Sequence, residues 1–264
     1  MCNFKSGLIF KNRVVLAPIY NDSHSALLKS MNIEDSHLNA SKMFVRAELI
    51  PKNNDKTLDV SEWRFKVDQD IVPDWYEEDQ ERYEEEFRNE VKTWMKDKFE
   101  IICGKLCVKI KSDENATYYM TVDKLFSSEF GKTNNYEVSY VREKLNTSDF
   151  ANALQKEFGD RLISISTNLL SMDGLDDYGT VSGDILALRT FDLNRECRKN
   201  IPNPDEWEWL ATPDSTPSGY SSDDVLCVRS DGGMGCSWCG RSWAVRPFFI
   251  LKSSIFVSCE ETEA

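Results

Sequence analysis

The chain has 264 residues, of which 41% are hydrophobic and 11% aromatic, so it can bury a sizeable core and wholesale disorder is excluded. The net charge of −13 argues against direct nucleic-acid binding, which needs a basic face, and is compatible with a basic protein as a partner. No apolar run approaches the roughly 18 residues of a membrane helix, and the first residues lack the apolar stretch of a secretory signal, so we expect a cytoplasmic protein without membrane contact.

The first hundred residues are typical of a small α+β unit. Two apolar runs, GLIF and VVLAP, flank KNR and predict a β-hairpin. A short helix is expected after Asp22 or Ser23, and strands are expected in MFVRAELI and EWRFKV.

An acidic amphipathic helix is predicted at about residues 74–98, because its apolar residues recur at three- and four-residue spacing. Between Asp68 and Glu90, eleven acids stand against two arginines, a net charge of −9. The helix is an ordinary solvated face, or it docks on a basic protein in the manner of a DNA mimic. Five glutamates would form the second kind of face: Glu77, Glu78, Glu81, Glu84 and Glu85.

From about residue 100 the predicted elements become short. Strands are expected in EIICGKLCVKI, where alternation would place Cys103 and Cys107 on one face, and in ATYYMTV. The stretch NYEVSYVREKLN predicts a helix whose inward residues are Val138, Val141 and Leu145.

A second helix is predicted in SDFANALQKEF, with Ser148 or Asp149 as its cap. Short strands and long loops follow from Asp160. Eight cysteines in a cytosolic chain of this size are expected to be free thiols.

Three ordered blocks carry a resemblance that covers roughly residues 115–256. NYEVSYVREKLN resembles the R-x-W-L-N helix of a bacterial and phage domain of unknown function, and GDILALRTFDLNREC resembles its V-F-L-L-S-x-x-E strand and helix. WEWLATPDS and AVRPFFIL resemble its closing W-W-W-L-R-S-P and G-V-R-P-A-L pair. Ala211 and Phe248 depart from that pattern.

That domain resembles the C-type-lectin-like superfamily, which includes sulfatase-modifying enzymes and the variable proteins of diversity-generating retroelements. The resemblance implies a long irregular segment displayed between two anchoring strands, here residues 214–243. The anchors it implies are Trp207, Trp209 and Leu210 before the segment, and Val245, Arg246 and Pro247 after it.

The first hundred residues also resemble a module found in gut-bacterial and phage proteins, through C-x-F-K-S, D-S-H and W-x-F-x-V-D…P-x-W. The resemblance implies a reusable adaptor. It also implies a phage or prophage protein, located in the cytoplasm of a bacterial host or in the virion.

The composition of the displayed segment favours ligand binding. Tyr, Trp and Arg are the usual binding anchors, and Ser and Gly supply adaptable spacing. A solvated loop with buried tryptophans is the alternative. The residues predicted to contact the ligand are Tyr220, Arg229, Trp238, Arg241 and Trp243.

Two metal sites and one catalytic site are weaker alternatives. Cys236-x-x-Cys239 could join the Cys103 and Cys107 pair in a four-cysteine zinc site, and carboxylates at positions 173, 176 and 177 could bind calcium. Cys2 would be the nucleophile of an N-terminal hydrolase if the initiator methionine were removed, with His24 assisting.

The sequence therefore predicts an α+β protein with an adaptor at residues 1–100 and a C-type-lectin-like domain at residues 101–264. We expect binding of a protein or glycan without catalysis, cofactor or metal. An acidic inhibitor of a basic host protein, such as a defence nuclease, and a Cys2 hydrolase remain the alternative functions.

Overall fold

The structure of the chain, a computed structural model, describes residues 3–10, 13–19, 47–50, 60–61, 63–67 and 80–253. Helices and sheets both occur, so the predicted α+β class is confirmed. The chain divides into two units, Met1–Phe99 and Glu100–Ala264. None of the described helices combines the length and apolar character needed to span a lipid bilayer.

The first unit contains a four-stranded antiparallel sheet in sequence order. Its strands are β1 (Asn3–Phe10), β2 (Arg13–Ile19), β3 (Ala47–Ile50) and β4 (Arg64–Val67). The expected hairpin is confirmed, since Phe10 pairs with Arg13 across the turn. The helix expected after Asp22 or Ser23 lies outside the described residues.

The acidic helix is described from Gln80 onward, as α1 (Gln80–Lys98), and residues 74–79 of the predicted range lie outside the described residues. Val91 and Met95 are buried, as an amphipathic stripe requires. Arg88 donates hydrogen bonds to the carbonyl oxygens of Val60 and Trp63, at 3.0 and 2.8 Å. Glu77 and Glu78 lie outside the described residues.

The second unit contains two five-stranded sheets. The first has the order β5 (Phe99–Ile102), β6 (Lys105–Ser112), β7 (Ala116–Thr121), β16 (Phe248–Lys252) and β9 (Leu162–Ile163). The last strand of the unit therefore pairs with one of the first, with Lys252 opposite Ala116.

The second sheet presents the candidate site. Its order is β14 (Met234–Trp238), β13 (Asp224–Val228), β12 (Glu208–Pro213), β15 (Ser242–Val245) and β8 (Phe126–Glu129). A separate two-stranded sheet pairs β10 (Ile165–Asn168) with β11 (Thr180–Asp184).

Three short helices complete this unit: α2 (Tyr140–Asn146), α3 (Asp149–Phe158) and α4 (Phe191–Cys197). Ser148 caps α3 by accepting from the Ala151 N–H at 3.1 Å, which confirms one of its two predicted caps. The buried side chains of α2 and α3 join Trp209, Val245 and Phe249 in the main core.

Two local predictions are wrong. Val138 is 69% exposed, because Ser139 caps α2 and leaves Val138 in the preceding 3₁₀ turn, Tyr136–Val138. Cys103 does not share a strand face with Cys107, since it lies in the tight turn between β5 and β6 with a φ of 45°. Gly104 follows it at a φ of 73°, a conformation that glycine adopts without strain.

Candidate functional site

Strand β12 is buried along its whole length and carries an ionised group into the interior. Glu208 is fully buried, although it stands between Trp207 and Trp209 in an otherwise apolar strand. Alternation explains the arrangement: Trp209 faces the main core, whereas Glu208 and Leu210 point to the other side of the sheet.

Two buried arginines neutralise Glu208. Arg189 donates from Nη2 to Glu208 Oε1, and Arg246 Nη1 lies 3.3 Å from Glu208 Oε2. Arg246 also donates to the carbonyl oxygens of Thr121 and Pro202, at 3.2–3.3 Å. Burial lowers the pKa of the Arg246 guanidinium, while Glu208 opposes that shift. We call this group the buried trio: Glu208, Arg189 and Arg246.

The trio includes Arg246, one of the anchors that the resemblance implies. The predicted anchors Trp209, Leu210, Val245, Arg246 and Pro247 are all buried, and Trp207 is half-buried. Trp209 donates from Nε1 to the Ser128 carbonyl at 2.9 Å. Both strands that flank the predicted displayed segment are therefore fixed.

The start of the segment is held by a buried amide. Asn134 donates to the carbonyl oxygens of Ser215 and Asp224, at 2.8 and 3.0 Å, and accepts from the Tyr178 hydroxyl at 2.7 Å. Its side chain thus joins three separate chain segments, and its N–H donates to the Ser222 carbonyl.

Two aspartates predicted as calcium ligands also hold the segment. Asp173 accepts from the Ser215 hydroxyl at 2.6 Å, and Asp177 accepts from the N–H and hydroxyl of Ser218. Hydrogen bonds lower the pKa of both carboxyl groups. The largest contribution comes from Ser171 for Asp173 and from Ser218 for Asp177. Asp176 is exposed. The aspartates therefore act as clamps on residues 215–218.

The resemblance implies an irregular displayed segment. Residues 214–243 are instead built around the regular β13–β14 hairpin. Asp224 pairs with Trp238 and Val228 with Met234, in an uninterrupted antiparallel register. Val225 and Cys227 face the main core, so β13 is an interior strand of the sheet. The continuous apolar run in DVLCV is the sequence signal for this buried strand.

Two exposed aromatic side chains lie on the hairpin and just before it. Trp238 on β14 is 57% exposed, and Tyr220, which precedes β13, is 71% exposed. The Tyr220 hydroxyl donates to Asp214 Oδ2, and the Asp214 N–H donates to the Asp224 carbonyl at 3.0 Å. Asp224 in turn pairs with Trp238 in the hairpin register. We call Asp214, Tyr220, Cys236 and Trp238 the aromatic patch.

The surroundings of the patch are acidic. The bond to Asp214 raises the pKa of Tyr220 to about 12, and Asp173 contributes to the shift. Burial raises the pKa of Asp224, and the nearby charges of Asp214 and Asp223 raise it further. The patch therefore combines exposed apolar rings with unneutralised negative charge.

The other three predicted ligand residues do not join this patch. Trp243 is half-buried, stacks on Trp207 at a ring distance of 5.4 Å and donates to the Ser237 hydroxyl at 2.8 Å. Arg229 lies at the hairpin tip, 3.7 Å from Asp231. Arg241 is exposed in the turn that follows β14.

The four-cysteine zinc site is not formed. Cys236 is exposed on the outer face of β14, Cys239 is buried in the main core, and Cys103 donates to Glu157 at 3.0 Å. Among the described residues, no group of three or more side chains could hold a metal ion.

The described thiols are poor nucleophiles. Burial raises the pKa of all six, and those of Cys103 and Cys107 reach about 12. The proposed nucleophile Cys2 and its helper His24 lie outside the described residues.

The face proposed for docking on a basic protein is only partly described. Glu81 and Glu85 are exposed on α1, and Glu84 is half-buried and accepts from Gln80 at 2.8 Å. Across Gln80–Lys98 six acids stand against five bases, a net charge of −1. The described helix is therefore nearly neutral as a whole.

Sequence reasoning missed Asn134, Asp214, Arg189 and Glu208. Glu208 was detectable, because one carboxylate interrupts the apolar run WEWLA, whereas Arg189 and Asn134 carry no local signal.

No protein-family model, no curated protein and no solved structure matches the chain.

Proposed function

We propose that the protein is a non-catalytic binding protein whose second unit is a C-type-lectin-like domain. The aromatic patch recognises a protein or glycan ligand. The observation that carries the proposal is the exposure of Trp238 on the hairpin and of Tyr220 on the segment before it, next to strands that buried groups hold in place. Aromatic side chains on a rigid support lose little conformational freedom on binding.

The fold assignment rests on topology and on the sequence resemblance. The late strand β16 pairs with the early strand β7, and two helices follow β8. The hairpin then projects from strands anchored by Trp209 and Arg246. This order supports a C-type-lectin-like domain, and its bacterial or phage origin rests on the sequence resemblance alone.

The charge of the patch narrows the ligand. Asp214, Asp223 and Asp224 lie together beside Trp238, and their mutual repulsion is relieved by a cation. A partner that inserts lysine or arginine gains both the carboxylates and the faces of the exposed rings. A basic protein surface therefore fits the patch better than a neutral glycan.

The acidic-inhibitor alternative rests on residues 68–90, which carry a net charge of −9 and which the structure describes only from Gln80. A complex that depends on α1 weakens steeply in salt, since exposed charges are screened beyond roughly 8–10 Å. A complex anchored by the rings of Trp238 and Tyr220 loses less affinity, since salt screens only the contribution of Asp214, Asp223 and Asp224.

The test is a capture experiment from a bacterial host lysate, followed by affinity measurement with the captured partner. The baits are the full chain and its Trp238→Ala and Tyr220→Ala variants, at low and high salt. We expect each substitution to weaken binding by about 2 kcal/mol or more. Trp243→Phe is the matched control, because the ring of Trp243 stacks on Trp207 away from the patch.

A second variant separates the shape of the patch from its composition. A β-carbon at Gly240 would lie 2.5 Å from the ring of Trp238, so Gly240→Ala displaces that ring without removing it. We expect affinity to fall with little change in stability. If none of the three patch variants changes the affinity, the proposal is contradicted. If substitution of the exposed glutamates of α1 abolishes binding instead, the inhibitor function is favoured.

A further inference from the structure

A second concave site lies outside the displayed segment. A groove of about 700 Å³ runs between β10 and the beginning of α4. Its floor is formed by Tyr118, Phe248 and Ile250, and Phe191 and Leu193 line the opposite wall. The volume lies within the range of ligand-binding clefts, about 300–1,000 Å³.

One wall of this groove is the edge of a strand. The five consecutive residues from Ser164 to Asn168 all line it, although their side chains alternate between two faces. Consecutive residues can line one groove only where the groove follows the strand edge. Strand β10 pairs with β11 alone, so its other edge has no partner strand within the described part of the chain.

The register shows which main-chain groups this edge offers. Leu169 N–H donates to the Gly179 carbonyl at 2.9 Å, and two residues earlier Thr167 pairs with Val181. In an antiparallel ladder, hydrogen-bonded pairs alternate with pairs whose main-chain groups point away. The N–H and C=O groups of Ser166 and Asn168 therefore face away from β11, toward the groove.

This edge lacks the usual protection against strand pairing. Exposed edges commonly carry lysine, proline or inward-pointing charge, which prevents another strand from adding. The stretch LISISTNLLSM, residues 162–172, contains no charged residue, proline or glycine, in a chain with 29% charged residues. Leu170 and Met172 expose apolar side chains at the rim.

We propose that the groove binds an extended peptide segment of a partner protein, which adds to β10 as a further strand. Main-chain bonds to Ser166 and Asn168 hold the peptide, its alternate apolar side chains contact the floor, and the side chains between them face solvent. A second copy of this chain fits poorly, because edge-to-edge pairing would bring the two α4 walls together. A small apolar molecule leaves the main-chain groups of β10 unpaired.

The proposal is tested with synthetic peptides and the full chain. The probes are fluorescent peptides that alternate threonine with valine, isoleucine or phenylalanine, and binding is followed by anisotropy. Each probe has a twin with N-methyl groups along its backbone, which removes main-chain donors and keeps the side chains. Each lost main-chain bond is expected to weaken binding about three- to tenfold.

Two variants of one residue supply the matched pair. Ser166→Pro removes the outward N–H without removing a bond to β11, a position where strands tolerate proline. Ser166→Ala removes only the hydroxyl contact to Ser182, 2.8 Å away. We expect binding to fall about tenfold in Ser166→Pro and to change less than about twofold in Ser166→Ala.

Three outcomes overturn the proposal. The first is that no probe binds the wild-type chain at millimolar concentration, and the second is that N-methylated twins bind as well as their parents. The third is self-association of the chain that Ser166→Pro abolishes, which assigns the edge to a second copy. If Ser166→Pro does not fold by circular dichroism, the peptide pairs on the wild-type chain decide the matter.

Discussion

Strands β12 and β14 belong to the same sheet and are separated by one strand, but they differ in the exposure of their side chains. All six residues of β12 are buried, including the carboxylate of Glu208. Strand β14 is an edge strand and exposes the indole of Trp238 and the thiol of Cys236. Charge lies inside and aromatic surface lies outside, the reverse of the common distribution.

The contrast separates two tasks within one sheet. The buried trio joins the segments that carry Arg189, Glu208 and Arg246, and a buried ion pair is formed only in the native arrangement. Exposed aromatic rings contribute little to stability and gain contact area when a ligand covers them. Stability and binding are therefore expected to respond to different substitutions.

The largest expected effect is at the centre of the buried trio. Glu208→Gln leaves two buried arginines without a counter-charge, and we expect the free energy of unfolding to fall by about 3–5 kcal/mol. The measurement is a urea titration of the full chain followed by tryptophan fluorescence. Glu206→Gln is the control, since Glu206 pairs with the exposed Lys124 and its loss costs less than about 1 kcal/mol.

If the two glutamate variants are equally stable, β12 is not anchored by charge and the contrast between the strands fails. Equal stability of the two variants would mean that apolar contacts, and not the ion pairs of Glu208, hold β12 in place.

A smaller effect is expected where scaffold and patch meet. Asn134→Ala leaves the carbonyl oxygens of Ser215 and Asp224 without their side-chain donor, and we expect a loss of about 2 kcal/mol. Amide hydrogen exchange should accelerate in residues 214–224 first, because those residues lose their support. Asn152→Ala, on an exposed position of α3, is the control and should change neither quantity.

The smallest effect concerns the exposed thiol. Partial burial is the largest cause of the raised pKa of Cys236, and the charges of Asp214 and Asp224 raise that pKa further. Asp214→Asn removes one of those charges, so the thiolate fraction at fixed pH rises and alkylation by iodoacetamide should accelerate about two- to fivefold. Asp231→Asn, at the hairpin tip, should leave the rate unchanged; mass spectrometry of the labelled peptides measures both.

Local elements were predictable where a short-range signal sufficed. Helix α3 follows from Ser148 and the spacing of Phe150 and Leu154, and the first hairpin follows from two apolar runs around KNR. The turn at Cys103 was missed, because alternation continues across it and does not reveal a positive φ. Helix α2 began later than expected, since Ser139 competes for the cap and excludes Val138.

The candidate site was predictable in composition but not in arrangement. The sequence indicates that residues 214–243 are rich in binding side chains, yet it does not tell Trp238 from Trp243. Trp243 is partly buried by Trp207, 36 residues earlier, and such a contact leaves no local pattern. The buried trio was missed for the same reason, and because arginine and glutamate are ordinarily surface residues.

The pairing of β7 with β16 has a consequence for how this unit can be joined to other proteins. Lys252 lies opposite Ala116, and the Ser253 N–H donates to the Asn115 carbonyl at 2.9 Å, so the end of β16 is bonded to the beginning of β7. The hairpin that carries Trp238 belongs to the other sheet. Because β5 and β16, the first and last described strands of this unit, share the sheet that lacks the hairpin, a protein fused at either strand is joined to a different sheet from the one that carries the recognition surface.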